Sequence, residues 1–361
     1  MIAFVVGTTA ELIKIAPVFL ELRARGADPR LWYSDMHATT ADDLCLRLGL
    51  PTPHRRIGGL GGKDLVRASD TPRWVAGFTA ASVSQRRQMR RELRSDAHRP
   101  LVLVHGDTFT TVLGAMLGRA LGADVGHVEA GYRSGSLRSP FPEEANRRAV
   151  ARIVQLNFAP GPRESANLSH AKGVVIDTGA NTVVDSLKLL GEDDTTLPGS
   201  GPGLVTLHRF ELLSDEGLLR ETMGLVLDAA TRHAVRMLVG HRERYELERL
   251  GLLDRAEREL ELGDKLPYPD FIPVARSSSW ILTDSGGLQQ EAAYLGIPCL
   301  IHRERTESFV GLDRNIVVSG MKSDVVRDFL ADPGRYRFPS IVEDYHPSRI
   351  IVDELAARGY V

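Results

Sequence analysis

Three carboxylates stand where short apolar runs give way to polar loops. They are Asp107 in HGDTFTT, Glu129 at the end of VGHVE, and Glu143 at the start of EEANRR. An ionised acid inside an apolar run is costly unless it is paired. Carboxylates gathered from separate strand ends suit the removal and return of a proton. Asp107 has an equal second reading as the N-cap of the next helix. Pro142 marks a helix start, and acidic residues there suit the helix dipole, which explains one of Glu143 and Glu144 but leaves Glu129 unexplained.

Different chemistry is suggested by DSGGLQQE, which follows the apolar WILT. Ser285, Gly286 and Gly287 place backbone N–H groups at a helix N-terminus, a cradle for a diphosphate. Glu291 lies one helical turn further on, where like charge excludes the phosphates but a ribose diol would be a good partner. The plainer alternative is a glycine turn followed by a solvated glutamate. GTTAELIK (7–14) repeats the pattern more weakly, with Gly7 in a tight turn and Lys14 two turns into a helix, within reach of a phosphate. A helix-start glycine and a surface lysine would look the same. His208 in LHRFE and His241 in LVGHRER end two further strand-like runs. No spacing of histidines and cysteines suits a metal, and no metal site is predicted.

The elements that must position these residues are legible as a pattern. IAFVVG, LVLVHG, VGHVE, GLVTLH, RMLVGH, WILTDS, PCLIH and NIVVSG are apolar without alternation, as strands buried on both faces are. Between them, helical spacing recurs over 10–25, 72–95, 142–154, 215–233, 287–296 and 322–331. Alternating strand and helix predicts an α/β fold of two Rossmann-like, doubly wound domains facing a cleft. The alternation pauses at 192–203, which is rich in Gly, Pro, Asp and Thr and reads as a linker. The expected domains are therefore 1–191 and 204–345, with a C-terminal helix over 346–361 packing back on the first. Ligands of such sheets bind beyond the carboxyl ends of the strands.

Bulk properties exclude some functions. With 361 residues, 43% hydrophobic and 25% charged, the chain is that of a globular protein of two ordinary domains. A net charge of −2 argues against a nucleic-acid or anionic-membrane surface. Six of the 45 basic residues are lysine, which we read as coding bias and not as function. Two cysteines, Cys45 and Cys299, make no disulfide scaffold, and a reducing cytoplasm is expected. The apolar N-terminus is too short to span a membrane and lacks a basic leader, so it reads as a first buried strand.

Taken together, GTTAELIKIAPV, HGDT, GHVEAG, PFPEEANRR, TGANTVVDSL, VTLHR and TDSGGLQQEA resemble, in order, the motifs of the UDP-N-acetylglucosamine 2-epimerases. These enzymes share the two-domain GT-B fold of glycosyltransferases. The resemblance implies loss of the C2 proton and of UDP from C1 through a 2-acetamidoglucal. UDP then returns in non-hydrolysing members, and water captures the sugar in hydrolysing ones. It places the acidic catalytic positions on Asp107, Glu129 and Glu143, with Arg147 and His208 beside them. Nucleotide contacts fall on Lys14, His208, Ser285, Gly286, Gly287 and Glu291. A UDP-sugar partner, a homodimer, and no metal or redox cofactor follow from the same resemblance. A GT-B-like glycosyltransferase is the alternative, and a nucleotide-sugar-binding protein without catalysis is a more distant one.

The chain also departs from the family. Thr9 stands where an arginine is usual, and RTESFV (305–310) keeps Thr306 and Glu307 but lacks a later arginine. Met36 and Thr39 replace two glutamines that bind a second, activating substrate molecule. Arg209 and His241 keep other activator contacts, so the expected activator site is incomplete.

Overall fold

A computed structural model describes residues 1–135, 142–191, 199–306, 308–312 and 314–361. Residues 192–198 of the predicted linker, and Glu307, lie outside the described residues. The chain forms two compact units, Met1–Leu189 with Tyr345–Val361, and Leu190–Asp344.

The first unit carries β1 (Ile2–Val6), β2 (Arg30–Tyr33), β3 (Arg55–Arg56), β4 (Leu101–His105), β5 (Asp124–Val128), β6 (Leu156–Ala159) and β7 (Val174–Asp177). They form one sheet in the order β3-β2-β1-β4-β5-β6-β7, parallel throughout. The second unit carries β8 (Gly203–Thr206), β9 (Val235–Val239), β10 (Glu261–Asp264), β11 (Ile281–Thr283), β12 (Cys299–Ile301) and β13 (Ile316–Val318). Its order is β10-β9-β8-β11-β12-β13, again all parallel. Each sheet is therefore doubly wound. The order reverses between β1 and β4 in one and between β8 and β11 in the other, which is where such sheets open a crevice for ligands.

Every apolar run read as a strand is a strand. The strands the reading missed are short or polar. Arg30–Tyr33 and Leu156–Ala159 have four residues each, Val174–Asp177 and Glu261–Asp264 are partly exposed at sheet edges, and Arg55–Arg56 is a two-residue edge strand.

Close packing brings the first switch point together. Helix Phe109–Leu121 lies so near the sheet that a Cβ on Gly114 would meet Val5 Cγ1 at 2.7 Å, and one on Gly118 would meet Val125 Cγ2 at 2.8 Å. Its start, and Asp107 before it, are thereby held over β4. The C-terminal helix Pro347–Ala357 packs on helix Thr9–Ala24 within the same unit. Ser348 N–H donates to Asp185 at 2.8 Å, and the Lys188 ammonium donates to the Tyr345 carbonyl. Among the described residues no helix is long and apolar enough to cross a membrane.

Candidate active site

Asp107 is not the cap of the helix that follows it. Thr108 is, accepting a hydrogen bond from Thr111 N–H, which leaves the Asp107 carboxylate to be gripped by Arg147 instead. Arg147 Nε donates to Asp107 Oδ2 at 2.9 Å, its Nη2 lies 2.6 Å from the same oxygen, and Asn146 Nδ2 donates to the Asp107 carbonyl at 2.8 Å. Burial pushes the Asp107 carboxyl above its ordinary range. The Arg147 charge opposes this and the nearby Glu129 charge adds to it.

Glu129 is the most constrained of the acids. It leaves β5 with φ of +65°, rare for a residue with a side chain. Its carboxylate bonds the Lys14 ammonium and Asn181 Nδ2, and His105 Nε2 lies 3.6 Å away. Burial works against ionisation, but the Lys14 charge and these hydrogen bonds outweigh it and hold the carboxyl at about 2. His105 and His127 are buried beside it, and burial lowers them to about 3 and about 4, so both rings are neutral.

The two neighbouring glutamates have different surroundings. Glu144 is buried and accepts from Ser134 N–H at 3.0 Å and from Arg148 Nε at 2.7 Å. Glu143 instead lines a cavity of about 420 Å³ with Asp107, Asn146, Met36, Leu65 and Phe109. Its Oε2 is buried without a hydrogen-bond partner among the described residues. Asp107, Glu129, Glu143, Arg147 and Lys14 thus converge on the carboxyl end of the first sheet.

One expectation fails here. The N-terminus of helix Thr9–Ala24 offers no free anion cradle, because the protein fills it. Glu11 Oε2 accepts from Gly7 N–H at 2.7 Å and Thr8 N–H at 3.0 Å, Thr8 Oγ1 accepts from Glu11 N–H, and Thr9 N–H donates to His37 Nδ1. Lys14 is correspondingly turned to Glu129 and not to an open anion site. Burial raises Glu11 to about 7. A carboxyl raised on folding stabilises most below its unfolded value of 4.5, and that contribution is lost as pH rises towards 7. Glu11→Gln keeps an acceptor for the N–H groups and cannot ionise. Its melting temperature relative to the parent should therefore rise between pH 5 and 8, by the equivalent of about 3 kcal/mol at most. A pH-independent difference would show that Glu11 is already ionised at pH 5.

In the second unit, β8 and β11 are neighbours, and their ends bring His208 beside Asp284. Asp284 is fully buried. Its Oδ2 accepts the N–H groups of His208 and Arg209, both at 2.8 Å, and its Oδ1 lies 2.8 Å from His208 Nδ1. Burial opposes its charge, but His208 and these bonds prevail and lower its pKa. Asp284 is a candidate site residue that the sequence pattern did not single out. The available signal was an acid directly after a buried strand.

Ser285 caps helix Gly286–Leu295 by accepting from Leu288 N–H. A Cβ on Gly287 would meet nothing closer than Ser285 Oγ at 3.8 Å, and one on Gly286 nothing closer than Arg303 Nη1 at 3.5 Å. Neither glycine has a positive φ. The fold itself thus gives no reason for two glycines there. Glu291 is buried one turn on and accepts from the Tyr268 hydroxyl at 2.8 Å. His241 opens helix His241–Arg249 and is exposed.

The sequence model of the UDP-N-acetylglucosamine 2-epimerase family matches residues 67–330. The chain belongs to that family. A UDP-N-acetylglucosamine 2-epimerase of Bacillus subtilis (strain 168) is 29% identical over 97% of this chain and 93% of its own. A UDP-2,3-diacetamido-2,3-dideoxy-D-glucuronate 2-epimerase of Pseudomonas aeruginosa is 31% identical over 70% of this chain and 71% of its own. The crystal structure of the Neisseria meningitidis UDP-GlcNAc 2-epimerase, bound to UDP-GlcNAc, has the same fold, with a TM-score of 0.76 at 24% identity over 99% of both chains. The two doubly wound sheets are those of the GT-B architecture this epimerase family shares.

The positions that the resemblance matches to activator contacts are engaged within the protein. Thr39 donates through N–H and Oγ1 to the Asp64 carboxylate, at 2.9 Å each, and Met36 packs its sulfur 3.1 Å from Thr110 Oγ1. Arg209 Nε donates to the Asp284 carbonyl.

Proposed function

We propose that this protein epimerises C2 of UDP-N-acetylglucosamine, giving UDP-N-acetylmannosamine, by the non-hydrolysing route. Family membership supports the reaction. The observation that carries it is the convergence of Asp107, Glu129 and Glu143 at one switch point, since glycosyl transfer needs no such set of proton-handling acids.

The residues divide by task. The C1–O bond to UDP breaks and UDP leaves with the electron pair, so positive charge develops at C1. Glu129, held ionised, is a poor base but a good electrostatic partner for that charge. The C2 proton, acidified by the adjacent charge, passes to a carboxylate, and its bonding pair forms the C1=C2 double bond of the 2-acetamidoglucal. Asp107, raised by burial and gripped by Arg147, and Glu143, which lines the cavity and has an oxygen unpartnered among the described residues, are placed to take and return protons. Protonation of C2 on the opposite face and return of a UDP oxygen to C1 complete the exchange.

The second unit binds the nucleotide. Ser285, Gly286 and Gly287 receive the diphosphate, Glu291, steadied by Tyr268, takes the ribose hydroxyls, and His208, backed by Asp284, faces the leaving phosphate. We read 1–191 as the catalytic domain, 204–345 as the nucleotide domain, 192–203 as their linker and 346–361 as a helix belonging to the first. A cytoplasmic homodimer is the working state, which size-exclusion chromatography with light scattering would test.

Separation of products by anion-exchange chromatography tests the route. A mixture of two UDP-sugars is expected, whereas UDP with free N-acetylmannosamine would assign the hydrolysing reaction. The occupied activator positions give a further expectation. The rate should rise hyperbolically with UDP-N-acetylglucosamine, with a Hill coefficient of about 1. Sigmoidal kinetics would show that Met36 and Thr39 do not disable substrate activation.

A further inference from the structure

The left-handed backbone at Glu129 is unfavourable for a residue that is not glycine, and it persists only where the surroundings enforce it. Two arms aim the side chain that it launches. Lys14 reaches Oε2 from helix Thr9–Ala24. Asn181, 2% exposed, reaches the same oxygen with Nδ2 from just before helix Val183–Leu189.

The Asn181 side chain has a second bond. Its Oδ1 accepts from Val183 N–H at 3.0 Å, capping the helix. That bond sets the sense of the amide, with the oxygen turned to the helix and the nitrogen therefore turned to the carboxylate. The capped helix is tied to the first arm as well, because Ser186 Oγ donates to the Ile13 carbonyl at 2.8 Å, one residue before Lys14. Both bonds to Glu129 end on Oε2, while among the described residues Oε1 accepts none. Oε1 is also the oxygen turned towards the turn before Asp107, 4.0 Å from where a Cβ on Gly106 would stand.

We propose that Asn181 is a positioning residue for the reaction, holding Oε2 of Glu129 so that Oε1 is the oxygen presented to the substrate. The proposal rests on the reading of Glu129 as part of the reaction. A helix cap needs only an acceptor, and aspartate or serine would serve as well. The donor is what Glu129 requires, and neither replacement supplies one that reaches it.

Asn181→Asp and Asn181→Ser therefore separate the two roles. Both keep a cap, so melting temperatures should stay within a few degrees of the parent. UDP affinity and KM should change less than about twofold, because the nucleotide is held elsewhere. The kcat and the C2 exchange rate should fall by roughly 10–100-fold, as misplacement of a reacting group does. If the aspartate variant melts out through repulsion from Glu129, the neutral serine variant carries the test. Unchanged kcat in a folded variant, or a change confined to KM, would overturn the positioning role. Glu129→Gln measured in parallel keeps the two readings apart. Exchange retained in that variant would remove Glu129 itself from the reaction. Exchange lost there but kept in both Asn181 variants would remove only Asn181.

Discussion

Glu129→Gln is expected to abolish turnover, lowering kcat by about 10²–10⁴-fold, with UDP affinity retained. The glutamine oxygen can still accept from Lys14 and Asn181, so the side chain keeps its place. What disappears is the negative charge that burial resists and Lys14 sustains. Developing positive charge at C1 then meets an uncompensated Lys14 ammonium in a partly buried site, the reverse of what the reaction needs. Stability should fall too, by less than the about 3–5 kcal/mol that removing one partner of a fully buried ion pair costs, because this pair keeps some exposure. Thermal melting beside the kinetics separates that loss from the catalytic one. A folded variant with parental kcat would remove Glu129 from the chemistry.

Gly287→Asp should give the opposite combination. The site has room for a side chain, and an acid in the first turn of helix Gly286–Leu295 interacts favourably with the helix dipole, by about 0.3–1 kcal/mol. The free protein should therefore melt no lower than the parent. UDP should bind at least about a hundredfold more weakly, because the new carboxylate meets the diphosphate where like charges cost several kcal/mol. Calorimetric titration of UDP reads this directly. Unaltered affinity would mean that the diphosphate does not approach Gly287.

The fold was legible because its signal is coarse. Buried parallel strands such as LVLVH and IAFVV are apolar on both faces, and that pattern survives without tertiary information. ELGD and VVID were missed because edge strands share their faces with solvent and lose the pattern. Sequence could also show that Glu129 was out of place in an apolar run. It could not show the cause, because Lys14 lies 115 residues away and Asn181 52. The same limit hid Arg147 on Asp107, which displaced the N-cap reading, and Asp284 behind His208.

At the helix after β1, local chemistry misled. GTTAE looks like an anion cradle because Gly7 precedes a helix start. Glu11, in the same five residues, is the carboxyl group that occupies it. A capping box and a phosphate site begin with the same residues, and only the direction of the glutamate side chain tells them apart.

Proton NMR of UDP-N-acetylglucosamine incubated with the protein in heavy water, without any acceptor, tests the central claim most directly. Deuterium appearing at C2, with UDP-N-acetylglucosamine and UDP-N-acetylmannosamine both present, is the predicted result. A C2 proton that stays unexchanged while UDP binds normally would contradict it, leaving three carboxylates at a switch point with no proton to move.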